Sequence, residues 1–193
     1  MNQILDDIID EICLTEDDFK LKQETIRGVN YKCFDSKISN LNDYFKLSLK
    51  YPDNDMLVFD NERYTFQSCY DLSSAFANAL IERFKIKKGD RIAIASRNYP
   101  EWINSFIAIT SIGAIAVPLN SWWTKDELKY GIENCGAKII IVDDKRYDLI
   151  ETFADTDNLS LISIRCNTSD DLNWDNLIKP FSKLKMPNIE INP

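Results

Sequence analysis

The chain has 193 residues, 45% of them hydrophobic and 11% aromatic, and a net charge of −8. That is enough apolar mass for one full domain with a sizeable core, and the acidic balance excludes nucleic acid and anionic membrane surfaces, which need clustered Lys and Arg. The chain has no histidine, which removes His general bases, Ser–His and Cys–His nucleophile pairs and His metal ligands.

Residues 4–12 set Ile4, Leu5, Ile8, Ile9 and Ile12 at helical spacing with acids opposite, which predicts a short amphipathic helix. Residues 15–34 read as mixed and polar, with a turn at Arg27-Gly28-Val29-Asn30. A second short helix is expected over 41–49, buried through Leu41, Tyr44, Phe45 and Leu49, and Pro52-Asp53-Asn54-Asp55 breaks it. Two apolar runs, 56–59 and 63–66, flank Asp60-Asn61-Glu62 and signal a hairpin. A helix over 67–84 follows, with Cys69, Leu72, Phe76, Ala79 and Leu80 as its buried stripe and Thr65 or Ser68 as its cap.

Beyond the turn Lys87-Lys88-Gly89-Asp90, strands alternate with helices. The run 92–96 is nearly all apolar, as in a strand covered on both faces. Asn98 and Glu101 form a plausible cap pair, Pro100 falls in the first helical turn, and Gly113 ends that helix. Strands are expected over 114–118, 139–142 and 159–164, with a Thr124/Glu127 capping box and a Gly136 terminator on the helix between the first two. Strand starts near 92, 114, 139 and 159 with intervening helices mark parallel βαβ units. Residues 169–171 read as a loop, and 174–181 as a last helix. The fold expected is α/β: a three-layer αβα sandwich on a mostly parallel sheet, preceded by a helical or irregular N-terminal extension and a β-hairpin. Its divisions are 1–55, 56–166 and a linker or cut end over 167–193.

The five cysteines are widely spaced and form no CxxC pair, so a zinc site and a disulfide framework are both disfavoured. Free, buried thiols in a reducing cytosol are expected, and the location is cytoplasmic. The N-terminus carries Asp6, Asp7, Asp10 and Glu11 and is no secretory signal. The apolar stretch 102–119 is interrupted by polar residues and Gly113 and ends beyond Pro118, so it reads as a buried helix and strand rather than a membrane span.

Ligands of open parallel sheets bind beyond the strands' carboxyl ends. Three loops meet that edge: Arg97-Asn98-Tyr99, Leu119-Asn120-Ser121-Trp122-Trp123, and Asp143-Asp144-Lys145-Arg146. The candidate substrate-binding residues are Asn98, Asn120, Trp122 and Trp123. The adjacent tryptophans either wall an apolar pocket or pack beneath a neighbouring subdomain, and adjacent residues seldom face the same way. Asp143-Asp144 reads as a solvated acid pair at a loop tip rather than a metal site. No catalytic residue is assigned. Gly131 and Gly136 have the spacing of a Walker loop, but Ala137 separates Gly136 from Lys138 and Gly131 lies in a predicted helix, so the match fails.

The segments Tyr64-Thr65-Phe66, Lys88-Gly89-Asp90-Arg91-Ile92-Ala93-Ile94, Asn98-Tyr99-Pro100-Glu101-Trp102, Gly113-Ala114-Ile115-Ala116-Val117-Pro118-Leu119-Asn120 and Thr124…Glu127-Leu128…Gly136-Ala137-Lys138 occur in the order of adenylate-forming acyl-CoA synthetases. The resemblance covers about 56–145 and extends weakly back to Leu41, and Trp122-Trp123-Thr124 is similar to fatty-acyl and medium-chain members. It implies that 56–166 is the first βα subdomain of an AMP-binding domain, on the acyl and CoA side of the site. It also implies a two-step reaction: a carboxylate, most simply a fatty acid, attacks ATP to give acyl-adenylate and pyrophosphate, and CoA then takes the acyl group. ATP, Mg2+ and CoA serve the full-length parent. The family's phosphate loop, adenine-binding aromatics, magnesium-binding Glu and adenylation Lys come later in the chain and have no counterpart here, so the partners implied are the rest of the AMP-binding domain and a C-terminal domain. Some relatives carry a basic CoA-phosphate contact near the position of Trp122. The alternatives are a non-catalytic binding module derived from this fold, using the acidic N-terminal helix, and a flavodoxin-like nucleotide binder.

Overall fold

The computed structural model describes residues 3–16, 19–35, 38, 40–154, 159–166 and 172–191, in two compact units, 1–39 and 40–193. The first unit holds helix α1 (Gln3–Thr15) and an antiparallel hairpin of β1 (Leu21–Ile26) and β2 (Val29–Phe34). The hairpin replaces the irregular segment expected from the sequence. Its strands are too polar to show a period of two, but Arg27 and Gly28 both take positive φ, 51° and 81°, the backbone of a two-residue hairpin turn.

The second unit opens with α2 (Leu41–Ser48), capped by the Asn40 side chain. The expected stripe is corrected here: Leu41 and Tyr44 are exposed, and the helix contacts its neighbours through buried Asn42, near the Tyr70 hydroxyl, and through Phe45, edge-on to Phe106. The hairpin β3 (Asp55–Phe59) and β4 (Glu62–Thr65) follows as expected, and Thr65 caps α3 (Phe66–Phe84).

The main sheet is parallel, in the order β6 (Ile115–Pro118), β5 (Arg91–Ala95), β7 (Ile139–Asp143), β8 (Ser160–Ile164). The period of two sorts the central strands onto two faces. Ile92, Ile94, Ile139, Ile141, Ile162 and Ile164 pack with α3, α4 (Pro100–Ser111) and α7 (Trp174–Ile178). Ala93, Ala95, Ile140 and Val142 pack under α5 (Lys125–Cys135) and α6 (Asp144–Ala154). These are the three layers expected. Residues 91–95 and 139–143 are buried apart from Arg91, whereas β6 is a half-exposed edge strand. The Thr124/Glu127 capping box and the left-handed Gly136 cap of α5 form as expected. The helix expected over 174–181 is α7 continued by a short 3-10 turn over Lys179–Phe181. The loop expected at 169–171 lies outside the described residues. Only Cys69 of the five thiols is fully buried; the other four are half-buried. Among the described residues no helix is long and apolar enough to cross a membrane.

The order β6-β5-β7-β8 puts a topological switch between β5 and β7, where α4 and α6 leave on opposite faces. The chain fills that crevice itself. Asp143 is not a solvated loop tip: it ends β7, fully buried, and α6 begins at the next residue. Its carboxylate accepts from the Arg97 backbone N–H at 2.9 Å, from the Arg146 N–H at 3.2 Å, and from Arg146 Nη1 at 3.1 and 3.0 Å. The same guanidinium donates from Nε at 2.7 Å, and from Nη2, to the Ser121 carbonyl. One buried ion pair therefore ties the loops after β5 and β6 to the end of β7. Asp143→Asn is expected to cost roughly 3–5 kcal/mol in urea unfolding, because it strands a buried guanidinium, and Asp143→Asn combined with Arg146→Met is expected to recover part of that loss.

Candidate functional site

Two adjoining clefts open on the carboxyl edge of the sheet. One, of about 360 Å3, runs between the β3–β4 hairpin and the start of α4, lined by Leu57, Val58, Phe59, Tyr99, Trp102 and Ile103 among others. The second, of about 390 Å3, is formed by Phe59, Arg97, Asn98, Tyr99, Ser121 and Trp122. Phe59, Asn98 and Tyr99 belong to both, so one wall serves an apolar groove and a polar one. The volumes suit a small organic ligand.

The four candidate residues are distributed unevenly. Asn98 lines both clefts, but it does not cap α4: the N-cap is Tyr99, without a side-chain cap bond, and Pro100 at the first helical position lacks the N–H that a cap would have served. Trp122 lines the second cleft and stands 77% exposed, with the Arg97 guanidinium stacked 5.0 Å from its ring centre. Asn120 closes the turn instead, its side-chain oxygen accepting from the Trp122 N–H at 2.9 Å. Trp123 lines neither cleft; it is partly buried and packs against the core cluster beneath α5. A Cβ built on Gly131 would sit 2.7 Å from the Trp123 ring, so the glycine within α5 makes room for that indole. The structure thus brings Asn98 and Trp122 together and takes Trp123 away.

Sequence reasoning passed over the most heavily bonded group at this edge. Arg165, just after β8, takes a left-handed backbone with φ 54°. Its guanidinium forks onto Glu62, with both bonds at 2.8 Å, and its Nε reaches both Glu101 oxygens at 3.0 Å. The guanidinium carbon lies 4.9 Å from the centre of the Phe59 ring and 5.0 Å from that of Tyr99. The Arg165 bonds, and then one from the Tyr64 hydroxyl, hold the Glu62 carboxyl at about 2. The Tyr64 hydroxyl is itself pushed up, first by burial and then by its bond to Glu62. An arginine beside a strand end carries no periodic signal, so Arg165 was visible only as one cation in an acidic chain. Burial raises the thiols of Cys69 and Cys166 to about 11, so neither is a thiolate nucleophile at neutral pH. Among the described residues no group of three or more Cys, Asp and Glu side chains could hold a metal.

Two outcomes follow from this geometry. Trp123→Ala should lose roughly 2–4 kcal/mol in thermal or urea unfolding, while Trp122→Ala should stay within about 1 kcal/mol of the parent. The Glu62–Arg165 contact should be acid-labile. Because the folded carboxyl is depressed from 4.5 to about 2, its contribution is complete above the higher value and is lost as pH falls through the lower. Glu62→Gln should therefore flatten the acid limb of the stability–pH curve, read as urea midpoints between about pH 5 and pH 2.

Residues 46–186 match the family model described as AMP-binding enzyme. The 2-succinylbenzoate–CoA ligase of Bacillus velezensis is 34% identical over 112 residues, covering 56% of this chain and 23% of that protein. A long-chain-fatty-acid–CoA ligase of Haemophilus influenzae is 31% identical over 108 residues, covering 55% of this chain and 19% of the relative. In structure, the anthranilate CoA ligase AuaEII, solved with anthranoyl-AMP, superposes with a TM-score of 0.70 at 22% identity, over 80% of this chain and 30% of that one. The chain thus spans less than a third of the length of each of these ligases. The family match excludes a flavodoxin-like protein unrelated to ligases, and the filled crevice between β5 and β7 agrees with that. With residues 46–186 matched, the chain belongs to the AMP-binding enzyme family.

Proposed function

We propose that residues 56–166 serve as the first βα subdomain of an ATP-dependent carboxylate–CoA ligase, after an N-terminal extension over 1–55 and before a linker over 167–193. In that reaction a carboxylate oxygen attacks the α-phosphorus of ATP, and pyrophosphate leaves. The CoA thiol then attacks the acyl carbonyl, and AMP leaves. The observation that carries this reading is the pair of clefts on the sheet's carboxyl edge within the region matched to the family. This chain's part is to hold and shape the substrate. The groove of Leu57, Val58, Phe59 and Trp102 presents apolar wall, while Arg97, Asn98 and Ser121 present polar groups beside it. A fatty acid, with an apolar body and one anionic end, is the substrate we favour, and Asn98 and Trp122 are the binding residues. Asn120 acts through the turn it closes, and Trp123 supports that turn from the core.

Mg2+ finds no fitting donor set among the described residues. A triphosphate needs a glycine-rich loop whose N–H groups surround it, and the five glycines at 28, 89, 113, 131 and 136 form none. We therefore infer that ATP, Mg2+ and CoA act on a larger assembly that includes the rest of an AMP-binding domain and a C-terminal domain. A reducing cytoplasm suits five free thiols.

A second reading, a binding module that keeps the fold without the chemistry, draws on α1, whose Ile4, Leu5, Ile8 and Ile9 are exposed beside its acids. One measurement tests what both readings share, and a second separates them. The purified 193-residue chain should show no carboxylate-dependent exchange of pyrophosphate into ATP, and clear exchange would overturn the assignment of the missing chemistry. Replacing the matched segment of the Haemophilus influenzae ligase with residues 46–186 should restore exchange with fatty acids. A folded, inactive chimera would favour the binding module.

A further inference from the structure

We propose that Arg165 is a positioning residue that sets the aperture of both clefts by latching the β3–β4 hairpin to the amino end of α4. The two clefts share a wall made of Phe59, from the hairpin, and Tyr99, at the start of α4. Those rings meet edge to face at 5.5 Å, and the Arg165 guanidinium lies against both. Its two carboxylate partners belong to the same two elements: Glu62 opens β4, and Glu101 lies in the first turn of α4.

The hairpin is a sheet of its own, not hydrogen-bonded into the main one. It packs on α3, and the end that carries Phe59 and Glu62 stands against Tyr99, at the start of α4, and Arg165, just after β8. A two-stranded hairpin is marginal by itself, so its position at the cleft depends on what grips that end. Arg165 is suited to grip it. A planar fork satisfies two carboxylates and its delocalised charge lies near two aromatic rings at once, a combination that a point-charge ammonium matches less well. The side chain is 27% exposed, between Glu101 at 13% and Glu62 at 37%, so water competes less for the Glu101 bonds than for the Glu62 fork. The latch also holds a non-glycine residue in left-handed backbone, a conformation retained where surrounding contacts impose it. Removing it leaves the buried face of the main sheet intact, because none of its partners belongs to β5 or β7. The hairpin end would then swing away from α4, and Phe59 would part from Tyr99.

What the clefts hold rests on the ligase reading, but the latch can be tested without it. Amide hydrogen exchange, read by mass spectrometry on the purified 193-residue chain, compares β3 and β4 with β5 and β7. Arg165→Gln and Glu62→Gln should each speed exchange in β3 and β4 by about tenfold or more while β5 and β7 stay at the parent rate. The double variant should be no faster than Arg165→Gln alone, since both changes break the same contact. Arg165→Gly, which relaxes the left-handed backbone while deleting the side chain, should match Arg165→Gln. If Arg165→Gln does not fold, Arg165→Lys, which keeps the charge and loses the fork, should show the same hairpin-confined acceleration in smaller measure. Unchanged exchange in the hairpin would overturn the proposal. So would acceleration spread evenly over β3 to β7, which would mark Arg165 as a contributor to global stability only, or additive effects in the double variant.

Discussion

The buried pair of Asp143 and Arg146 is the constraint on which the cleft side of this molecule rests. Taking two charges out of water is costly, and such a pair persists where further hydrogen bonds satisfy the remaining lone pairs and protons. Here both carboxylate oxygens accept, and the guanidinium edge that does not face Asp143 is turned to the Ser121 carbonyl. Each of those secondary bonds goes to a loop that lines or borders the site. Arg97 is held by its backbone N–H, which leaves its side chain to stack on Trp122. Ser121 is held by its carbonyl, which sets the turn that presents Trp122. The position that doubly wound folds commonly give to a ligand is thus occupied by the protein's own ions, and the open space lies to the side, against the hairpin.

The second level of organisation lies between elements that are distant in the chain. Glu62 and Arg165 are 103 residues apart, yet they share two short bonds. Their contact adds no regular structure. It decides where the hairpin end stands relative to α4, and so how wide the clefts are. The two ion-pair systems differ in kind: Asp143–Arg146 is buried within the sheet's edge and holds backbone, whereas Arg165 bridges side chains at a partly wetted rim. The first supplies a fixed frame and the second an adjustable wall.

Much of the architecture was legible because it rests on local rules. The apolar run at the start of β5, the Thr124/Glu127 capping box, the Gly136 terminator and the regular spacing of strand starts all depend on neighbours within a few residues. The misreadings have physical causes as well. The β1–β2 hairpin is held by backbone pairing between polar strands, which periodicity does not register. The contact face of α2 includes a buried asparagine, which a search for apolar stripes passes over. Asp143 read as a solvated loop acid because nothing in Asp143-Asp144-Lys145-Arg146 tells whether a helix begins at once and folds Arg146 back three residues. For the site, the sequence singled out Trp122 and Trp123 as a pair, and only the turn closed by Asn120 separated one to the cleft and the other to the core.

The sequence by itself determined the class of fold and the family. Both are written in short motifs whose order and spacing survive without any knowledge of contacts, and in a period of two that sorts each central strand onto two helical layers. It also determined that no glycine loop for a triphosphate occurs within these 193 residues. Tertiary structure alone decided which charged groups are buried, which aromatic ring lines the clefts, and which cation holds them to their width. Those outcomes depend on side chains that meet across tens of residues, where the energy of an ion pair is set by the burial and hydrogen bonding around it and not by the residues themselves.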